Sequence, residues 1–172
     1  MKQLTIFRVL TFLLLPFAVL LGGAGLLMLL AALARPQLLL QVFITAGFVF
    51  YLFSSLRFLS KHIDPERPAR TSMREWIRVN GFVAGFLALN SIYSFIRAIA
   101  MDPADTRKVF EEMKESQPAF STITFELYSS VMKFAAYLSL AFGILLLVHI
   151  LMSIPILKKY GYLFSIAKEN KG

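Results

Sequence analysis

Few side chains in this sequence could do chemistry, and most of them fall inside long apolar runs. His149 stands between Val148 and Ile150, while His62 sits in a basic loop. Asn80, Asn90, Ser94 and Arg97 share one apolar stretch, and Gln41 and Ser153 lie in two others. An imidazole can move a proton near neutral pH, bind a metal or hold a haem iron. Amide and hydroxyl side chains in an apolar setting either line a polar pathway or join helices by hydrogen bonds. Nothing around them completes a reaction centre. There is no His-x-x-x-His, Gly-x-Ser-x-Gly, paired-carboxylate or Gly-rich phosphate motif. Cysteine is absent, which removes thiolate metal sites, iron–sulfur clusters and thiol–disulfide exchange. The sequence therefore reads as non-enzymatic, with no catalytic residue, metal or cofactor, and with Gln41, Asn80, Asn90, Ser94, Arg97, His149 and Ser153 as a candidate intramembrane polar cluster.

The elements that must position these groups follow from composition. Of the 172 residues, 58% are apolar and 16% charged, against about 45–50% and about 25% in soluble proteins. Uncharged stretches give four spans near residues 9–34, 37–59, 76–100 and 131–157. Each reaches the roughly 18–20 residues a helix needs to cross about 30 Å of hydrocarbon. The runs are too long and continuous for barrel strands. The expected fold is all-α: an integral membrane four-helix bundle, one membrane domain over 1–172, with a short amphipathic outer helix between spans three and four. Lys2, Arg8 and Ala32-Leu33-Ala34 resemble a secretion signal, but the uncharged run from Val9 to Ala34 exceeds the 7–15 residues of such a signal. A retained first helix is expected.

Charge sets the orientation. Of the 18 Lys and Arg residues, twelve fall in the N-terminal segment, the connection between spans two and three, and the tail 158–172. The other face also carries six acids between Asp102 and Glu126. The positive-inside bias places both termini on the cytoplasmic side of a plasma (inner) membrane. Contact with anionic headgroups then accounts for the net charge of +8 without nucleic acid.

The connections carry their own signals. Arg35-Pro36 is a tight hairpin joining spans one and two. Asp64-Pro65 and Arg67-Pro68 turn the inner loop, and Ser72-Met73-Arg74-Glu75 reads as a capping box opening helix three. In the outer loop 102–130, Asp102, Pro103 and Asp105 start a helix whose stripe is Val109, Phe110 and Met113, ended by Gln117-Pro118. The spacing of Phe120, Ile123, Leu127, Tyr128 and Val131 extends span four outward.

Small residues mark where helices can approach closely: Thr11, Ala18, Gly22, Gly25 and Ala32 in span one, Gly81 and Gly85 in span three, and Ala135, Ser139 and Gly143 in span four. The polar arc of span three is expected to face inward, opposite Phe82, Phe86, Leu89, Tyr93 and Ile96. By depth, Gln41, Asn90, Ser94 and Arg97 fall in the outer half, with Arg97 an anchor near Glu126. Asn80, His149, Ser153 and Ser55 fall in the inner half. Two functional readings follow. The first is a non-catalytic accessory, assembly or structural subunit that contacts membrane lipid and a second copy or partner membrane protein through the Gly/Ala/Ser seams. The alternative is an oligomeric small transporter or channel subunit that uses the polar residues of spans two to four.

Overall fold

The structure is a computed structural model that describes residues 2–117 and 122–164. Pro118, Phe120, Lys168 and Lys171 lie outside the described residues. Among the described residues there is no strand, and the main elements are five α-helices: α1 (Lys2–Ala34), α2 (Leu39–Phe58), α3 (Thr71–Ala100), α4 (Pro103–Ser116) and α5 (Phe125–Lys159). Four stretches are long and apolar enough to cross a membrane: Lys2–Ala34, Pro36–Ile63, Thr71–Ala100 and Phe125–Lys159. Each exceeds its expected span by a few residues at one end or both. At 1.5 Å per residue the 33 residues of α1 extend about 50 Å, so its basic first turns continue past the apolar layer.

Leu20, Leu27, Leu33, Phe82 and Phe134 are each more than two-thirds exposed. In water, apolar patches beyond a few hundred Å² do not stay uncovered on a monomer. In hydrocarbon they carry no such penalty. The fold is that of a helical membrane protein.

The chain forms two compact units, Met1–Leu89 with Leu145–Gly172, and Asn90–Ile144. In the first unit, α1 ends at Ala34 because Arg35 leaves helical geometry (φ −136°, ψ 84°) and Pro36 opens a single 3-10 turn into α2. That one-residue break makes α1 and α2 antiparallel neighbours, with Gly22 facing Val49 and Gly25 facing Thr45. A Cβ on Gly47 would lie 2.4 Å from Val83 Cγ1, so α2 meets α3 at backbone distance.

After α2 the helix widens into a π turn over Leu59–Ile63, and Glu66 reverses the chain at φ 50°. His62 Nδ1 donates to Pro68 O at 2.9 Å, which holds the turn closed. The expected capping box is not used. Helix α3 begins at Thr71, so Ser72 already lies inside the helix rather than at the boundary a capping side chain must occupy. The end of α5 closes back onto this connection, through Ala69 N donating to Leu163 O at 2.9 Å and Phe58 stacking on Phe164 at 5.1 Å.

In the second unit, α4 starts as its sequence dictates: Asp102 accepts from Ala104 N at 2.8 Å, Pro103 takes the first turn, and Gln117 caps the end. Phe110, 2% exposed, packs on Phe125 and Tyr128 at ring separations of 5.7 and 5.0 Å. Thr124 Oγ1 accepts from Leu127 N at 3.3 Å and so sets the start of α5. Helix α5 does begin ahead of the expected span, over Phe125–Ser130, and Ile123 stands before it.

Candidate functional site

In the first unit Thr11, Tyr51, Ser55 and Ser153 gather around His149, which is fully buried. It lies on the inward seam of α5, where Leu146, His149, Ser153 and Ile156 recur at three or four residues. The protonation of its ring follows from the partners. Thr11 Oγ1 donates to Phe7 O at 2.8 Å, the usual return bond of a helical threonine. With that proton committed, it can only accept from His149 Nε2, 2.9 Å away. Nε2 therefore carries the imidazole hydrogen. Nδ1 is left with its lone pair, and the Tyr51 hydroxyl donates to it at 2.8 Å. The result is one directed chain from Tyr51 through the imidazole and Thr11 to a backbone carbonyl.

Packing fixes the ring in this pose. Phe7 stacks on the imidazole at 4.3 Å and 17°, and the Tyr51 ring meets it edge-on at 5.4 Å. Tyr51 is itself wedged against the backbone of α3, since a Cβ on Gly81 would sit 3.1 Å from its Cε2. The cluster thus draws on α1, α2, α3 and α5 together. The Ser55 and Ser153 hydroxyls lie beside that of Tyr51. Ser153 donates to Ile150 O at 2.7 Å, and among the described residues the buried Ser55 Oγ has no partner in hydrogen-bonding geometry.

The expected inner cluster is partly assembled: His149, Ser153 and Ser55 come together, whereas the Asn80 amide donates to Trp76 O of its own helix at 2.9 Å. The outer one is not buried. Gln41 in the first unit and Asn90, Ser94 and Arg97 in the second are all exposed. The polar arc of α3 accordingly does not face inward. Its buried seam is Ile77, Gly81, Ala84, Ala88 and Ser91, and Asn90, Ser94 and Arg97 lie about 100–160° around the helix from the middle of that seam. Small side chains allow backbone approach and so win the interface over larger polar ones. Gly81 packs as expected, but its companion Gly85 meets nothing within 4 Å.

Sequence reasoning missed Tyr51, and it valued Thr11 only as a small residue. One signal for Tyr51 was present: a tyrosine in the middle of an uncharged run needs a partner for its hydroxyl. It shares a face, four residues either way, with Gly47 and Ser55.

The second unit holds a cavity of about 660 Å³ between the end of α3, α4 and the start of α5. Ser94, Arg97, Thr106, Ser129 and Lys133 are among its polar lining residues, and Met132, Phe125 and Ala136 belong to its apolar lining. Arg97 is in no ion pair among the described residues, so it is not joined to Glu126; Arg8 and Asp64 do pair, at 2.6 Å. These features define a helical membrane protein with a hydrogen-bonded polar core around His149 in one unit and an amphipathic cavity in the other. Comparison with protein-family models, with curated proteins and with solved structures finds no match for the chain.

Proposed function

We propose that this chain is a multi-pass protein of the plasma (inner) membrane, with both ends cytoplasmic, that serves as a non-catalytic accessory or assembly subunit. The observation that carries this reading is the saturation of His149. Both ring nitrogens are taken by side chains of the same protein and the ring is stacked on Phe7, so the most reactive buried group has no free face for a substrate. Its role is to bind helices to one another. Partner contact falls to small residues that the chain does not itself cover: at Gly23 and Gly85 a Cβ would meet nothing within 4 Å. The sidedness is supported by the meeting of three basic segments at one end of the first unit. Arg8 pairs with Asp64, and Leu163 bonds Ala69.

Because the chain has no native cysteine, single substitutions read its topology cleanly. A membrane-impermeant maleimide applied to intact cells should label Ser116→Cys and should reach Ser72→Cys only after permeabilisation; the reverse pattern refutes the orientation. For the role itself, the full chain is extracted in mild detergent and weighed by native mass spectrometry. A second protein or second copy should be retained, and Gly23→Leu with Gly85→Leu should release it. An oligomer that carries solute across liposomes and loses that flux on His149→Phe would overturn the accessory reading in favour of a transporter.

A further inference from the structure

We propose that a cavity of the first unit, between the end of α2 and the start of α3, is the headgroup site of one anionic phospholipid, its phosphate held by Arg57 and Arg70. The inference does not depend on the accessory role. The cavity measures about 460 Å³, within the roughly 300–1,000 Å³ of sites that take small molecules. Ser54 and Ser72 add hydroxyls to its lining, and Met73 and Trp76 add apolar surface. No carboxylate is among its lining residues, and neither arginine is in an ion pair among the described residues. Two like charges on one cavity repel unless an anion sits between them. The guanidinium fork matches the oxygens of a phosphate.

Depth selects a lipid over a free anion. Arg57 directly follows the uncharged run of α2 that ends at Leu56, and Arg70 stands immediately before α3. Both cations thus lie at the water end of the cavity. Ser54 is three residues toward the apolar middle from Arg57, and Met73 and Trp76 are three and six residues that way from Arg70, or roughly 4–9 Å. Tryptophan favours this level, between headgroup and hydrocarbon. Apolar surface then continues in the same direction. Phe50 shares a face of α2 with Ser54 and Arg57, and Val79 shares a face of α3 with Met73 and Trp76. Phe50 meets Trp76 edge-on at 6.1 Å, and Phe50, Trp76 and Val79 are each more than half exposed. An acyl chain can lie along them beneath the phosphate, whereas a free anion would have no use for that surface. The connection that carries Arg70 is fixed from both sides. Pro68 O accepts from His62 Nδ1, and the buried Ala69 donates its N–H to Leu163 O.

Trp76, the only tryptophan, lines the cavity and so reports its occupant. The full chain in mild detergent is titrated with phosphatidylglycerol or phosphatidylcholine of equal chain length, each brominated in the upper part of its acyl chains. Quenching of Trp76 gives the two affinities. Each basic side chain near an anionic head contributes about fivefold, so wild type should favour phosphatidylglycerol about thirtyfold. Arg57→Gln and Arg70→Gln should each lower that preference about fivefold, and the pair should abolish it. Arg97→Gln with Lys133→Gln, which alter the cavity of the second unit, should keep it. Millimolar glycerophosphoglycerol, the same head without chains, should not displace the lipid. Equal affinities in wild type, a preference that survives both single substitutions, its loss in Arg97→Gln with Lys133→Gln, or displacement by the chainless head would each overturn the assignment.

Discussion

Replacing Tyr51 by Phe removes one hydroxyl and leaves the ring in place against Gly81, so it opens no cavity and isolates a single hydrogen bond. That bond, 2.8 Å to His149 Nδ1, is buried. Hydrogen bonds between membrane helices average about 0.6 kcal/mol and reach about 1.7. Leaving a buried acceptor unpaired costs about 1–3 kcal/mol. Tyr51→Phe is therefore expected to destabilise the protein by about 1–2 kcal/mol by these figures. The informative measurement is the same substitution in a His149→Phe background. There the tyrosine hydroxyl has already lost its acceptor, so removing it should be neutral or slightly stabilising. The difference between backgrounds is the coupling of residues 51 and 149, expected at about 1–2 kcal/mol for directly bonded groups. Unfolding in mixed micelles titrated with SDS gives each free energy. Trp76, the only tryptophan, lies edge-on to Phe50 at 6.1 Å, so its fluorescence follows the separation of α2 from α3. Equal losses in the two backgrounds would show that Tyr51 does not act through His149, and the directed chain would be wrong.

Gly47→Ala places a methyl 2.4 Å from Val83 Cγ1 and should cost about 1–3 kcal/mol as overpacking; Val83→Ala in the same chain should restore part of it, and no loss in the same SDS titration would refute the close contact. Phe110→Ala deletes the ring that fixes α4 to Phe125 and Tyr128. Amide exchange over Pro103–Ser116 should rise while that of α1 and α2 stays as in wild type, and an unchanged α4 would count against its docking. Glu66→Gly relieves a left-handed backbone at φ 50° that costs a side-chain-bearing residue about 1–2 kcal/mol. Set against glycine's greater loss of entropy, a small gain in stability is expected, and a loss would place that residue outside the left-handed region. Arg8→Gln breaks an ion pair with both side chains more than 40% exposed, so its effect should stay below about 1 kcal/mol; a larger loss would mean that the pair locks the N-terminus to the α2–α3 connection.

The four apolar helices, the hairpin at Arg35-Pro36 and the whole of α4 were legible in the sequence because their causes are local: run length, a proline, a cap. What lay beyond reach was rotation. The polar arc and the small-residue seam of α3 differ by about a third of a turn, and both had a claim on the interior by the usual rules for helices in lipid. Only the partner decides between them. Gly81 fits the flat of the Tyr51 ring, and no sequence pattern in α3 encodes that fit. Likewise the capping box at Ser72 was sound as local chemistry, but the tight turn through Glu66 and the bond from Ala69 to Leu163 bring the chain into helical geometry at Thr71. His149 was the easiest residue to single out and the hardest to interpret, because its meaning lies in Thr11 and Tyr51, 138 and 98 residues away.

Lipid removes the hydrophobic drive that would otherwise press helices together, so what holds the first unit in one arrangement must be shape and polar satisfaction. The two are joined at Tyr51. Its ring is placed by Gly81, and its hydroxyl completes the imidazole. A slip of one residue along α2 would rotate the ring by about 100°, taking the hydroxyl away from Nδ1 and leaving a buried acceptor bare. Close packing alone tolerates neighbouring registers, because valines and leucines can exchange places at small cost. The hydrogen-bonded chain does not, since it has one donor and one acceptor for each link. On this argument Tyr51→Phe should also broaden the native state rather than merely weaken it. In the two-background experiment, the SDS unfolding transition should become less steep in either single variant, and an unchanged slope would show that packing by itself selects the register.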